Sequence, residues 1–266
     1  MQLYPTSYHR ASSLEEAGRL LSGADDGKYI AGGQTLIATL KQRLAQPSDL
    51  IDLRHIPVLK GISVDGRSVT IGAGVTHAEV AESSLIRSVC PALCHLASLI
   101  GDPHVRHLGT IGGSIANDDP AADYPAAMLG LGATIVTDRR EIGADDFFVD
   151  LFETALQEGE IITAVRFTAP ERAAYAKFSN PASRFAMTGV FVAKGPAGVR
   201  VAVTGAGSNG VFRHAGLEEA LARDWSPGAI ADVVIDSSDL MSDLHCTAEY
   251  RANLVKVMAK RAVGAS

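Results

Sequence analysis

Two short glycine-containing segments carry the residue types that hold an anion through the main chain. Gly32-Gly33-Gln34-Thr35 and Gly109-Thr110-Ile111-Gly112-Gly113-Ser114 each set glycines beside hydroxyl or amide side chains. Glycine lacks a Cβ and tolerates positive φ, so the backbone can come close enough to a phosphate for its amides to donate. A helix starting at such a turn adds the positive end of its dipole. One turn of this kind is also what packing between a strand and a helix produces; two in one chain point to a ligand with two phosphates. Neither turn fits G-x-G-x-x-G with an acidic residue about 20 positions on, which argues against a Rossmann domain. The sequence also holds no P-loop and no G-x-S-x-G nucleophile elbow.

The second segment continues into Asn117, Asp118, Asp119 and Asp123. The aspartates read either as a cation site or as a solvated loop face, and Asp118 and Asp119 are assigned to solvent. His104 and His107 flank Arg106, but no H-x-E or H-E-x-x-H arrangement suggests catalytic zinc. Cys90 and Cys94 are four apart with only His95 nearby, a spacing that reads as buried structural thiols rather than metal ligands. No metal site and no acid–base set acting on an organic substrate is expected.

The elements that position these segments alternate between α and β periodicity. Residues 13–23 read as a helix capped by Ser12 or Ser13 and stopped at Gly23. KYIAGG reads as a strand entering the first turn, and a helix is expected from Gln34 to Leu44. Asp65-Gly66 marks a hairpin within 63–74, and Thr76 with Glu79 forms a capping box for one helix through residue 88. PALCHLASLIG is a helix with Pro91 in its first turn. The stretch 104–120 is rich in glycine and polar residues and reads as one long loop. A short helix from Tyr124 to Leu131, a strand ATIVT, and a strand pair of 160–167 with 173–179 follow. The strands 185–193 and 199–207 pair around KGPAG, and a terminal helix runs from about Thr247 to Ala262.

Composition fits a soluble globular chain: 266 residues, 47% hydrophobic and 20% charged, with net charge −6. That charge gives no reason to expect nucleic acid or an anionic membrane. No apolar run approaches the roughly 20 residues that span a bilayer, and the N-terminus lacks the apolar core of a secretory signal. Three cysteines in a chain of this length suit a reducing, cytoplasmic setting.

AGGQTL at 31–36, VTHAEVAES at 75–83 and HVRHLGTIGGSIANDDPAADYPAAMLGLGA at 104–133 resemble the FAD-binding medium subunits of the molybdenum hydroxylases. This group includes the carbon monoxide dehydrogenases and the flavin domain of xanthine dehydrogenase. The likeness continues through DLRHIPVLKGI, GEIITAVRF and YAKFSNPASRFAMTGVFVA to about residue 207.

The resemblance implies an α+β fold: a two-lobed FAD-binding domain of the vanillyl-alcohol-oxidase (PCMH) type over residues 1–170, with lobes of about 1–56 and 57–170. A smaller sheet-and-helix domain would occupy 171–266. The FAD contacts it implies are Tyr29, Ile30, Ala31, Gly32, Gly33, Gln34, Thr35 and Leu36 in the first turn, and Gly109, Thr110, Ile111, Gly112, Gly113 and Ser114 in the second. Asp123 would make a polar contact further along, with Ile100, Ile162, Lys177 and Phe185 beside the cofactor. Read without the family, Lys177 is a solvent-facing lysine, Phe185 a core phenylalanine, and Ile100 and Ile162 core residues. His107-Leu108 departs from the polar residues often found before GTIGG, Phe185 replaces a tyrosine of some relatives, and the cysteine-bearing insertion that holds an iron–sulfur cluster in one branch is missing.

The function so implied is electron transfer: from molybdenum on a large molybdopterin-binding subunit, through a small [2Fe-2S] subunit, to FAD on this chain and an external acceptor, in a dimer of heterotrimers. The competing expectations are a free-standing FAD-dependent oxidoreductase and a non-enzymatic nucleotide-binding assembly module.

Overall fold

A computed structural model describes residues 4–266. Three parallel strands, Ser7–Arg10, Asp49–Asp52 and Gly27–Ile30, lie side by side with Asp49–Asp52 in the middle. Parallel pairing requires crossovers, and the helices Leu14–Ser22 and Leu36–Lys41 lie in those connections. Ser13 caps the first helix as its sequence suggests. The second is shorter than expected, since Arg43 takes a left-handed φ of 60° just beyond it.

The next unit is a five-stranded antiparallel sheet. Ile162–Thr168 sits at its centre, between Ser68–Gly72 and Thr134–Thr137, with Ile62–Asp65 and Glu141–Gly143 at the edges. The Asp65-Gly66 hairpin and the Thr76–Glu79 capping box are both present. Ser83 breaks the expected single helix into His77–Glu82 and Ser84–Val89, because its hydroxyl caps a new first turn at Ile86.

The third unit is an antiparallel meander of Arg172–Ser179, Ala186–Gly195, Gly198–Gly207 and Gly210–Arg213. Its apolar runs are nearly continuous because both faces are covered. Val190, Val192, Val201 and Val203 join Val255 and Met258 of the helix Ala248–Ala265. Tyr175, Phe191 and Ala202 join Met128 of the helix Tyr124–Leu131, all of whose residues are buried. Gly130 permits that approach: a Cβ there would fall 2.5 Å from Phe191.

Two further expectations are corrected. Ile162–Thr168 and Arg172–Ser179 are both strands but belong to different sheets, the first at the centre of the five-stranded sheet and the second at the edge of the meander. Residues 104–120 are not one loop: Pro103–Arg106 and Ile111–Asn117 are helices, capped by Asp102 and Thr110. The helix forms despite its glycines because it is packed, with Ile111 and Ile115 fully buried. Gly112 lies so close to Ala73 that a Cβ would stand 2.5 Å from that side chain.

Candidate functional site

A cavity of about 760 Å³ opens between the three units, a size usual for cofactor sites. Its wall includes both glycine segments, Ile100, Asp123, Ile162 and the rim residues Ser183, Arg184 and Phe185. Seventeen of the nineteen expected positions line it; Ile111 and Lys177 do not.

The two glycine segments touch each other. A Cβ on Gly32 would fall 2.3 Å from Leu108 O and 2.6 Å from Gly109 Cα, so only glycine lets the strands of chain meet there. Gly33 has φ +69°, which turns the chain from the strand into Leu36–Lys41. Among the described residues, the amides of Gly32, Gly33, Gln34 and Thr35 have no acceptor within the protein. Four adjacent unengaged donors on a cavity wall form a ready anion cradle.

The second segment works differently from its sequence reading. Ile111 N donates to Val75 O at 3.0 Å, Gly112 N to Ala73 O at 2.9 Å, Gly113 N to Thr110 Oγ1 at 3.1 Å and Ser114 N to Thr110 O at 3.0 Å. These amides are already used. What this segment offers the cavity is the Cβ-less surface of Gly112 and Gly113 and the side chain of Ser114. Ile111 is core, held there by packing under the sheet.

Asp123 is buried at the cavity wall. Tyr175 donates to one carboxylate oxygen at 2.5 Å and Lys177 to the other at 2.9 Å, with Lys177 also reaching Leu99 O at 3.3 Å. Burial pushes the Asp123 carboxyl up, while Lys177 and Tyr175 oppose that shift. The Lys177 side chain is 1% exposed, which overturns its reading as a solvent-facing lysine. It stands behind Asp123 and fixes that side chain.

Phe185 is 47% exposed at the rim, not a core residue, and precedes the strand Ala186–Gly195. The loop before it is closed locally. Asn180 Oδ1 accepts from Ala182 N and Ser183 N, Asn180 N donates to Phe185 O, and Arg184 has φ 65°. Ile162 is buried, as expected of a core residue, whereas Ile100 is only partly so.

Asp118 is another correction. It is 3% exposed, with φ 42° at the end of Ile111–Asn117, and its carbonyl accepts from Phe152 N. Burial, and then the charge of Asp119, push its carboxyl up to about 7. Among the described residues, no group of three or more His, Cys, Asp or Glu could hold a metal ion. Likewise no described helix is long and apolar enough to cross a membrane.

Sequence reasoning passed over Arg54, His77 and Arg184 on the cavity wall. Arg54 pairs bidentately with the fully buried Asp52, whose Oδ2 also accepts from Tyr8. Burial works against that carboxylate, but the bonds from Arg54 and Tyr8 prevail and hold it at about 2. The Asp-x-Arg pairing across residues 52–54 was the available signal.

The residues present fit an extended dinucleotide: a cavity of sufficient volume, a row of unengaged amides, and apolar wall from Ile100 and Ile162 toward the aromatic rim. Residues 4–170 match the family described as the FAD binding domain in molybdopterin dehydrogenase. The carbon monoxide dehydrogenase medium chain of Hydrogenophaga pseudoflava is 34% identical, over 97% of this chain and 96% of its own. The nicotine 6-hydroxylase medium subunit of Paenarthrobacter nicotinovorans is 35% identical, over 99% and 98%. Among solved structures, carbon monoxide dehydrogenase from H. pseudoflava superposes with a TM-score of 0.90 at 34% identity, covering 100% of this chain and 98% of that one. Quinoline 2-oxidoreductase from Pseudomonas putida 86 superposes at 0.89 with 26% identity, covering 100% and 98%.

Proposed function

The chain belongs to the family of FAD-binding domains of molybdopterin dehydrogenases, and from that premise we propose that it is the electron-transferring medium subunit of a molybdenum hydroxylase. Its cofactor is FAD, which when bound supplies the redox chemistry; the protein supplies binding, orientation and exposure. Electrons would arrive from a small [2Fe-2S] subunit, fed by a large molybdopterin-binding subunit, and leave to an external acceptor. A dimer of heterotrimers in the cytoplasm is the assembly this reading favours.

The observation that carries the proposal is the row of four unengaged amides, Gly32 to Thr35, on a cavity that runs to the aromatic rim at Phe185. In this reading the amides hold the diphosphate and Ser114 adds a hydroxyl. Asp123, fixed by Lys177 and Tyr175, presents a carboxylate oriented for a polar group of the cofactor. Ile100 and Ile162 give the apolar wall. The chain divides near residue 170 into the FAD-binding domain and a C-terminal domain, with a finer division of the first near residue 56.

The test is reconstitution. The purified chain should bind about one FAD per chain and accept electrons from dithionite. It should not hydroxylate an aromatic heterocycle, an aldehyde or carbon monoxide until large and small subunits are added. Turnover of an organic substrate by the lone chain would favour a free-standing oxidoreductase instead.

A further inference from the structure

His77 is a cavity-wall residue that the glycine turns leave unexplained. It begins the helix His77–Glu82, and the Thr76–Glu79 capping box fixes where that helix starts. Its own N–H donates to Gly109 O at 3.0 Å, and Thr76 bridges to Thr110. The segment that bears the ring is therefore anchored to the second glycine segment at two successive residues.

His77 is 5% exposed and lines the cavity. A Cβ on Gly109 would fall 2.6 Å from its Nε2, and Gly109 is also the residue against which Gly32 packs. The imidazole thus stands at the junction of the two segments, next to the chain that leads into the unengaged amides. Burial, and then the charge of Arg106, push its pKa down to about 4, so the ring is neutral at physiological pH.

A neutral imidazole has one donor and one acceptor, and its neighbours decide which nitrogen is which. Nδ1 is buried without a partner. The same is true of the Tyr124 hydroxyl, whose ring centroid lies 5.3 Å from that of His77. A buried phenol needs an acceptor and a buried Nδ1 can be one; a single bridging water would satisfy both and leave the proton on Nε2.

On the reading that this cavity holds FAD, we infer that His77 is a further binding residue, donating from Nε2 to the diphosphate where the two glycine segments meet, with Tyr124 holding the tautomer. The glycines at 32 and 109 then have a second consequence. They make the junction thin enough for a side chain from a neighbouring helix to reach the ligand.

The test uses the full chain freed of flavin, titrated with FAD, ADP and riboflavin. His77→Leu should weaken FAD about ten- to a hundredfold, the range for a charge-assisted hydrogen bond, while His77→Gln, which keeps a donor at similar reach, should retain most of the affinity. In nitrogen NMR of the wild-type chain, the His77 signals, identified by their loss in His77→Gln, should show an Nε2–H tautomer and move with ADP but not with riboflavin. That readout stands even where the leucine variant does not fold. A wild-type chain that binds no FAD overturns both the site reading and this inference. FAD binding with His77 signals unmoved by ADP, or moved only by riboflavin, overturns the role of His77 alone.

Discussion

Gly113→Val separates damage to the cavity from damage to the fold. Gly113 sits in the first turn of Ile111–Asn117, where a Cβ would meet only Thr110 Oγ1, at 2.9 Å. Outside its chain neighbours and the helix's own backbone nothing else lies within 4 Å of that Cβ, and Gly113 lines the cavity, so the added atoms are expected to enter the cavity. On the protein side two small effects oppose each other. Replacing a helical glycine by valine gains about 0.3–0.5 kcal/mol of propensity, and displacing the Thr110 cap from Gly113 N costs about 0.5–2 kcal/mol. The net loss is at most about 1.7 kcal/mol, a shift of about 7 °C or less in the melting temperature of a chain this size. On the ligand side, filling a fitted site costs about 1–3 kcal/mol, which is roughly five- to 150-fold in affinity. Fluorescence titration with FAD and calorimetry of the flavin-free chain give the two quantities separately. A valine variant with wild-type affinity would show that the cofactor does not pass over Gly113. A variant that unfolds would show that the space at that position is not cavity.

Three further outcomes follow from the buried charges and the rim. The folded chain holds the Asp118 proton up to about pH 7 whereas an unfolded aspartate releases it near 4, so stability should fall between about pH 4 and 7 and stay low above; Asp118→Asn, which tolerates the left-handed φ, should remove that fall and stabilise at pH 8 by up to about 4 kcal/mol, read from urea melts across pH. Lys177→Met should destabilise by about 3–5 kcal/mol in denaturant because it leaves Asp123 buried with only Tyr175, and adding Asp123→Asn should recover part of the loss; equal stability of single and double variants would contradict the pairing. Phe185→Ala should change stability by less than about 1 kcal/mol, since the ring is already half-exposed, yet alter the fluorescence or reoxidation rate of bound flavin; a large drop in melting temperature with unchanged flavin spectra would return Phe185 to a packing role.

The elements with local signatures were readable from sequence. Ser13 and Thr76 cap helices as their spacing indicates, and Asp65-Gly66 turns a hairpin. What the sequence concealed depends on contacts made across the chain. The glycines at 112 and 113 argued for a loop because isolated propensity disfavours helix there; burial of Ile111 and Ile115 under the sheet overrides it. Strand neighbours could not be read from adjacency, and 162–168 pairs with strands from far earlier in the chain rather than with the next one. At the site, glycine content pointed to both segments but not to the difference between them: which amides are free depends on whether Ala73 and Val75 carbonyls stand opposite. Lys177 looked like a surface residue because its carboxylate partner lies 54 positions away. His77 carried no motif of its own.

The C-terminal meander does more than adjoin the cavity. Thr204 donates its hydroxyl to Pro120 O at 3.1 Å and Ala122 O at 2.6 Å, Gly205 N donates to Pro120 O at 2.8 Å, and Ala186 N to Ala121 O at 3.4 Å. Arg251 of the terminal helix in turn donates to the carbonyls of Met187 and Gly205. The short run 120–123 is therefore gripped through its carbonyls by two main-chain amides and the Thr204 hydroxyl, and Asp123 at its end takes both side-chain partners from Tyr175 and Lys177. For anyone building chimeras, residues 4–170 alone make a poor transplant: the graft would arrive with three carbonyls unanswered and its carboxylate bare. A swap between relatives that carries the meander and the last helix along with the flavin lobes would keep every one of those bonds within the donor sequence.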